Sequence, residues 1–410
     1  MSDSTVFLHV GLPKSGTTYM QAVFTANKER LRERAGVLFP GTDWDDQVQA
    51  VRDVRQMHRT PEKGSKVEGA WSRLVAEISA WGGDAVVSME WLCAAEPDHI
   101  RRIVDDLSPG RVEAVFTVRD LGRTLPAAWQ EFMQNRGEWS WREFLEGVVA
   151  EDLLATRAGQ RFWSQQDMAA LLTNWTKVLP AGQIHVVTLP HPGAPPDLLW
   201  RRMSRVLGVD DAGYATEGTI GNASLGLESA ELMRRLNPLA RKAGMRKSLY
   251  QHVLKHGVAK TVLAERKNGE SRLGLPVAYH DWARERAGQQ IEAIEAAQVS
   301  VVGNLADLRP VLDARGTRQP EDVPDDALLQ SCLMVLVAVA RQWDLTRRET
   351  KTLRQENAGL QERLEFSARH VGHLTERIRQ LEVRLARAGP VPRRGGPGPE
   401  PDGQLSREVI

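Results

Sequence analysis

The run Gly11-Leu12-Pro13-Lys14-Ser15-Gly16-Thr17-Thr18 is where this chain could hold a phosphate. Two glycines in G-x-x-x-x-G spacing let successive backbone N–H groups turn inward. A helix beginning just after them adds its own unbonded N–H groups, so the segment reads as an anion cradle. A loop built for a nucleoside triphosphate continues with Lys and then Ser or Thr, for the outer phosphates and magnesium. Here Thr17 and Thr18 fill those places and the lysine comes earlier, at Lys14. The cradle is kept while the metal-centred half of the apparatus is weakened. The blander reading is a Gly/Pro turn that caps a helix.

A second cation supports the ligand. The apolar run 112–118 ends in Arg119, where a triphosphate-binding sheet usually offers an aspartate to magnesium. A guanidinium at a strand's carboxyl end suits a second anion held bidentately. The ligand expected from these residues is a nucleotide with phosphates at two places, bound without an obligatory metal. Glu90 follows the run 85–89 and falls at the same end of the sheet. It is a candidate general base, or else a carboxylate that caps or pairs locally. His58, in a polar stretch, and His99, on a helix surface, are weaker candidates for that role. Gln130, Glu131 and Trp129 could line an acceptor pocket, although an aromatic-bearing helix more often packs on its sheet.

The elements that must position these groups alternate. Residues 6–10, 85–89, 112–118 and 184–189 read as strands, with 37–39 as a shorter one. Residues 17–34, 68–81, 97–107 and 121–136 read as helices. In the first of these Tyr19, Met20, Val23, Phe24 and Leu31 are candidate core contacts. The alternation predicts an α/β fold: a P-loop-type three-layer domain with a parallel sheet covered on both faces. Ligands in such sheets bind at the carboxyl ends of the strands. Beyond residue 190 the strand pattern fades, and 228–263 and 280–297 read as helices completing the same unit.

The loop, followed by Phe116-Thr117-Val118-Arg119-Asp120 and the helix through Glu131, resembles the sulfotransferase family. The likeness is to actinobacterial members that use 3′-phosphoadenosine-5′-phosphosulfate, and it covers roughly residues 5–310. Asn222-Ala223-Ser224-Leu225-Gly226 and Val301-Val302-Gly303-Asn304-Leu305 are similar to that group too. The resemblance implies that Lys14 contacts the 5′-phosphate and the bridging oxygen that leaves. It implies that Ser15, Gly16, Thr17 and Thr18 supply loop N–H groups and hydroxyls, and that Arg119 holds the 3′-phosphate. Where the family often has serine, eight residues after that arginine, this chain has Ala127, and Arg123 stands one helical turn from Arg119 to compensate. Arg266-Lys267-Asn268-Gly269 is similar to a family Arg-Lys-Gly run that lies over the nucleotide. A solvated basic turn is the other reading of Arg266 and Lys267. The activity implied is in-line sulfuryl transfer to a hydroxyl or amine acceptor, with Glu90 as base, no metal site, and a small-molecule, glycan or lipid acceptor.

Two other readings stay open. One is a P-loop ATP-dependent kinase-like enzyme. The other is a degenerate, non-catalytic sulfotransferase-like interaction protein, which Ala127 keeps alive.

The C-terminal part changes character. From 326 to 387 glycine and proline nearly vanish, and a seven-residue register emerges. Leu353, Leu360, Ser367, Leu374 and Leu381 form one series; Asn357, Leu364, Val371, Ile378 and Leu385 form the other. This predicts a coiled coil over about 350–387 and a homodimer, against a lone helix packed on its own domain. The expected layout is a catalytic domain over 1–312, a helical extension over 313–387, and a disordered Gly/Pro-rich tail over 388–410.

Of the 410 residues, 54 are Lys or Arg and 53 Asp or Glu. A net charge of +1 argues against nucleic-acid binding by bulk charge, and leaves room for a local basic pocket. Only Cys93 and Cys332 are present, which excludes a disulfide framework. The apolar run 332–340 is about half of the ~20 residues of a membrane span. No basic start and apolar stretch opens the chain, so a cytoplasmic protein without a membrane span is expected.

Overall fold

A computed structural model describes residues 4–57, 67–216, 225–313 and 317–389; the side chains of Lys267, Asn268 and Ala388 are outside it. The tail 390–410, and with it most of the expected disordered segment, lies outside the described residues, as does His58.

Six strands form one parallel sheet: β1 (Thr5–His9), β2 (Val37–Leu38), β3 (Asp84–Ser88), β4 (Arg111–Val118), β5 (Ile184–Thr188) and β6 (Ser300–Val302). Their order is β2-β3-β1-β4-β5-β6. Residue His9 of β1 stands opposite Ser88 on one side and Val115 on the other. The chain leaves β1 towards one edge, returns beside it as β3, and crosses to its other side as β4. The carboxyl end of β1 is therefore the topological switch point, where a doubly wound sheet opens a crevice. The α/β reading with a parallel sheet holds. The edge strand β6 was not expected from sequence. Its three residues are too few to show a period, and Val302 pairs with Val187 of β5.

Alternate strand residues feed two layers, because successive side chains point to opposite faces. Val6, Leu8, Val87, Ala114 and Phe116 pack on the helices Trp44–Val54, Ala70–Trp81, Pro97–Asp106, Met168–Thr176 and His280–Ala296. Phe7, Val86, Val115 and Val187 pack on Thr17–Ala26, Lys28–Ala35 and Leu198–Leu207. A separate core joins Leu121–Gln134 to Trp141–Val148, Arg157–Trp163 and Leu227–Lys242. There Trp129 is fully buried and its indole N–H donates to the Trp139 carbonyl at 3.1 Å. Trp129 is thus a core residue and does not flank an acceptor.

Two predicted helices are interrupted. The stretch 17–34 divides into Thr17–Ala26 and Lys28–Ala35 at Asn27. The Asn27 amide donates to the carbonyls of Val23 (2.8 Å) and Ala215 (2.9 Å), so its side chain competes with the helical ladder. The stretch 228–263 breaks after Leu227–Lys242, where Gly244 adopts φ +67, a left-handed helix stop. It resumes as Lys247–Tyr250 and continues as a π-helix, Gln251–Leu263.

The chain divides into two compact units, Met1–Val339 and Ala340–Ile410. The predicted boundary at 312 falls inside the first, since Val323 and Leu328 pack on Leu227. The helix Asp325–Ala388 begins in the first unit and makes up the described part of the second. Both heptad series are solvent-exposed, among them Leu364, Val371, Leu374, Ile378 and Leu381. The same helix contains an 18-residue window long and apolar enough, by composition, to cross a membrane, with little of it buried. The run 332–340 alone gave no sign of this, because the window draws on residues beyond it.

Candidate active site

Three adjacent strands each deliver one group to the switch point. Lys14 follows β1, Glu90 follows β3 and Arg119 follows β4. All three line a cleft of about 1070 Å³.

The loop is fastened before any ligand reaches it. The Leu12 N–H donates to the Thr117 carbonyl (2.9 Å), and that of Gly11 to the Val115 carbonyl (3.2 Å). The Ser15 hydroxyl donates to the Leu12 carbonyl at 2.5 Å, accepts from the Leu12 N–H at 3.1 Å, and lies 2.8 Å from the Thr117 hydroxyl. The Ser15 N–H is also taken, by the Leu12 carbonyl at 3.1 Å. Ser15 is buried and shapes the loop; the resemblance had given it a phosphate contact. Beneath it the buried His9 ring reaches the Ser88 hydroxyl (2.7 Å) and the Thr117 hydroxyl (3.2 Å), spanning β3, β1 and β4. Burial pushes the His9 imidazole down to about 3, so it is neutral in the fold. Gly11, at φ +39, has no room for a side chain. A Cβ there would meet Thr17 Cγ2 at 2.3 Å and Thr117 Oγ1 at 3.0 Å.

Gly16 (φ +90) opens the helix Thr17–Ala26 with no side-chain cap. The first N–H groups of a helix lack intrahelical partners. Gly16, Thr17 and Thr18 line the cleft, so this end of the helix meets it at its positive pole. Lys14 itself is left-handed, at φ +72. Its ammonium lies 2.7 Å from Oε2 of Glu131, on the helix Leu121–Gln134.

Arg119 donates through Nη1 to the Lys14 carbonyl at 3.2 Å, tying the second cation to the loop. Its Nε is buried and has no hydrogen-bond partner among the described residues. Burial, then the neighbouring Arg123 charge, lowers the Arg119 guanidinium to about 10, with Asp120 opposing. Arg123 also lines the cleft, but its guanidinium is engaged. It pairs with the Asp120 carboxylate and donates to the carbonyls of Pro190 (3.0 Å) and Leu189 (3.4 Å). Ala127 faces the cleft beside them.

Glu90 accepts from the Gln21 amide at 3.1 Å. Burial pushes its carboxyl above the ordinary range; its own backbone, Gln21 and Lys14 pull the other way, and Glu131 adds to the rise. Glu131 goes in the opposite direction. Burial would raise it, but the charge and hydrogen bond of Lys14, with Lys255 and Lys260 behind, hold it below the ordinary value. Two carboxylates at one site thus sit on opposite sides of their usual range, the pattern that separates a proton acceptor from a permanent anion.

The far wall holds residues with no pattern in the sequence to mark them. Arg161, Gln165, Gln166 and Lys255 line it. The Gln166 amide donates to the Pro13 carbonyl at 2.8 Å, and the Gln290 amide to the Gln166 carbonyl at 2.8 Å, bracing the loop from outside the sheet. Tyr19 packs on the core as expected and also lines the cleft, and its buried hydroxyl has no partner among the described residues.

Arg266 is turned away from the cleft. It donates to the Ser331 hydroxyl at 2.5 Å and lies 3.5 Å from Glu270. The side chain of Lys267 is outside the described residues. Among the described residues this segment offers Arg272 to the cleft, within the lining stretch 270–275. A reciprocal clamp holds that stretch. The Ser229 hydroxyl donates to Glu270 (2.6 Å), and the Ser271 hydroxyl to Glu228 (2.9 Å). Gly226 is required there, since a Cβ would meet Glu270 Oε2 at 2.2 Å. Gly303 (φ +119) is under a similar constraint, since a Cβ there would meet Thr188 Oγ1 at 2.2 Å. Both glycine-bearing pieces therefore carry packing, and Asn222 and Ser224 lie outside the described residues.

The fold and the site define a doubly wound α/β domain whose switch-point cleft is lined by a helix N-terminus, Lys14, Glu90 and Arg119. No family model matches the chain. No curated protein matches it either. Among solved structures, a sulfotransferase from Alicyclobacillus acidocaldarius aligns with 60% of this chain and 98% of its own, at 14% identity and a TM-score of 0.34. A likeness that slight says nothing of what this chain binds.

Proposed function

We propose that this chain is a sulfotransferase that moves a sulfuryl group from 3′-phosphoadenosine-5′-phosphosulfate to a hydroxyl or amine acceptor. The observation that carries the reading is Arg119, whose buried Nε has no partner among the described residues while its Nη1 is tied to the loop that carries Lys14. A ligand with phosphates at two separate places uses both. Gly16, Thr17 and Thr18 bind the 5′-phosphosulfate, and Arg119 binds the 3′-phosphate. Arg272 adds charge in place of Arg266, while Arg123, paired with Asp120, stands beside Ala127.

Sulfuryl transfer, like phosphoryl transfer, asks for in-line positioning and stabilisation of spread charge. One S–O bond forms to the acceptor oxygen while the S–O bond to the 5′-phosphate breaks. Glu90 takes the acceptor's proton, and Lys14 stabilises the departing phosphate oxygen. The acceptor is a small molecule, glycan or lipid. The exposed heptads support a homodimer through the second unit.

Calorimetry with 3′-phosphoadenosine 5′-phosphate tests the donor. Binding is expected, and Lys14→Ala should abolish sulfuryl transfer from labelled donor. Absence of binding would remove both the donor and the enzyme, and magnesium-dependent ATP turnover would replace them with a kinase-like activity.

A further inference from the structure

The Lys14 ammonium has an anionic partner within the chain, the carboxylate of Glu131 at 2.7 Å. On the donor reading above, the phosphosulfate takes the same ammonium. Two anions cannot share one ammonium without repulsion, so donor entry and the Lys14–Glu131 pair compete. The displaced carboxylate has a receiver nearby. Lys255, on the π-helix Gln251–Leu263, donates to the Asn135 side chain at 2.6 Å. The Asn135 amide in turn donates to the Glu131 carbonyl at 2.9 Å, one helical turn back. Asn135 thus holds a second ammonium beside the helix that carries Glu131. Arg161, over the Phe132 ring at 4.6 Å, completes a cationic wall on that side.

We propose that Glu131 is an internal stand-in for the donor's phosphosulfate. It keeps Lys14 oriented in the loop and passes to Lys255 when the donor binds. Glu131 is a positioning residue, and the step is an exchange of ion pairs in which no covalent bond changes. The inference rests on the donor reading above. It predicts that the free protein resists simple anions, because Lys14 is occupied until a ligand also gains Arg119 and the loop N–H groups.

The test uses the full chain and calorimetry with 3′-phosphoadenosine 5′-phosphate. Glu131→Gln should bind it roughly fivefold more tightly than the parent, the scale of a half-exposed ion pair. It should also bind inorganic sulfate more tightly. Lys255→Gln should weaken nucleotide binding in the parent and leave it unchanged in Glu131→Gln, a coupling that general loosening of the fold would not produce. Equal or weaker binding by Glu131→Gln, or additive effects of the two changes, overturns the exchange while leaving the donor intact. No nucleotide binding by the parent chain overturns the donor, and the exchange with it.

Discussion

The hydroxyls of Ser15 and Thr117 lie 2.8 Å apart in the buried floor of the cleft, joining the loop after β1 to the strand that delivers Arg119. Ser15→Ala removes this bond and both of its bonds to Leu12. Thr117 keeps His9, and the Leu12 backbone keeps the Thr117 carbonyl and the Ser15 N–H, so the cost is that of lost hydrogen bonds, about 0.5–1.5 kcal/mol. Denaturant unfolding should show that loss, and nucleotide affinity should fall with it. An unchanged midpoint would mean that the loop is held by its backbone bonds alone.

Glu90→Gln should keep nucleotide affinity and lose turnover by roughly a hundredfold or more, the range of general-base removal. The rate should also fall on the acid side at a pH above the ordinary carboxylate range, because burial raises Glu90. Gln21→Leu withdraws a hydrogen bond that favours the charged form, so it should move the acid limb to still higher pH. A limb that does not move would show that another group titrates.

His9 gives a stability signal separate from activity. Its pKa drops from 6.5 to about 3 on folding, so the unfolded chain takes up a proton below pH 6.5 that the folded chain refuses. Stability from this residue is complete above that pH. It is lost on acidification, at about 1.4 kcal/mol per pH unit, until the folded ring itself protonates. Between pH 7 and 5 the unfolding midpoint of the parent should fall, and that of His9→Gln should fall less. Parallel slopes would place the loss elsewhere.

The second unit should make a parallel two-stranded coiled coil. Val371 and Ile378 alternate with Leu374 and Leu381, the β-branched and leucine pattern of two-stranded parallel coils, and Asn357 sets the register. In that register Glu349 faces Arg354 of the other copy, and Arg377 faces Glu382. Leu374→Glu with Leu381→Glu should turn a sedimenting dimer into a monomer with nucleotide affinity intact. A parent chain that is monomeric, or that floats with lipid vesicles, would overturn the dimer; flotation would assign the apolar window of Asp325–Ala388 to a bilayer.

Much of the fold was legible because parallel strands buried on both faces read as continuous apolar runs, as in Val86-Val87 and Val115-Phe116. Glu90 and Arg119 stand out for the same reason, since each sits where such a run stops, and Lys14 through the spacing of Gly11 and Gly16. What the sequence hid depends on distant partners. Asn27 ends a helix through Ala215, Ser15 spends its hydroxyl on Thr117, and Arg266 turns to Ser331. Lys255, Arg161 and Gln166 carry no local pattern, and only tertiary packing brings them to the cleft. Trp129 lies wholly in the core and Tyr19 meets both core and cleft, because the helical period fixes a face while the neighbours decide what that face meets.

His9, Ser15 and Gln166 secure the loop from below, within and outside. The consequence is kinetic. A loop backbone already shaped needs no chain closure after encounter, so its cations draw a polyanion in and the Lys14–Glu131 pair is what it must displace. Its association rate should slow as salt screens that attraction.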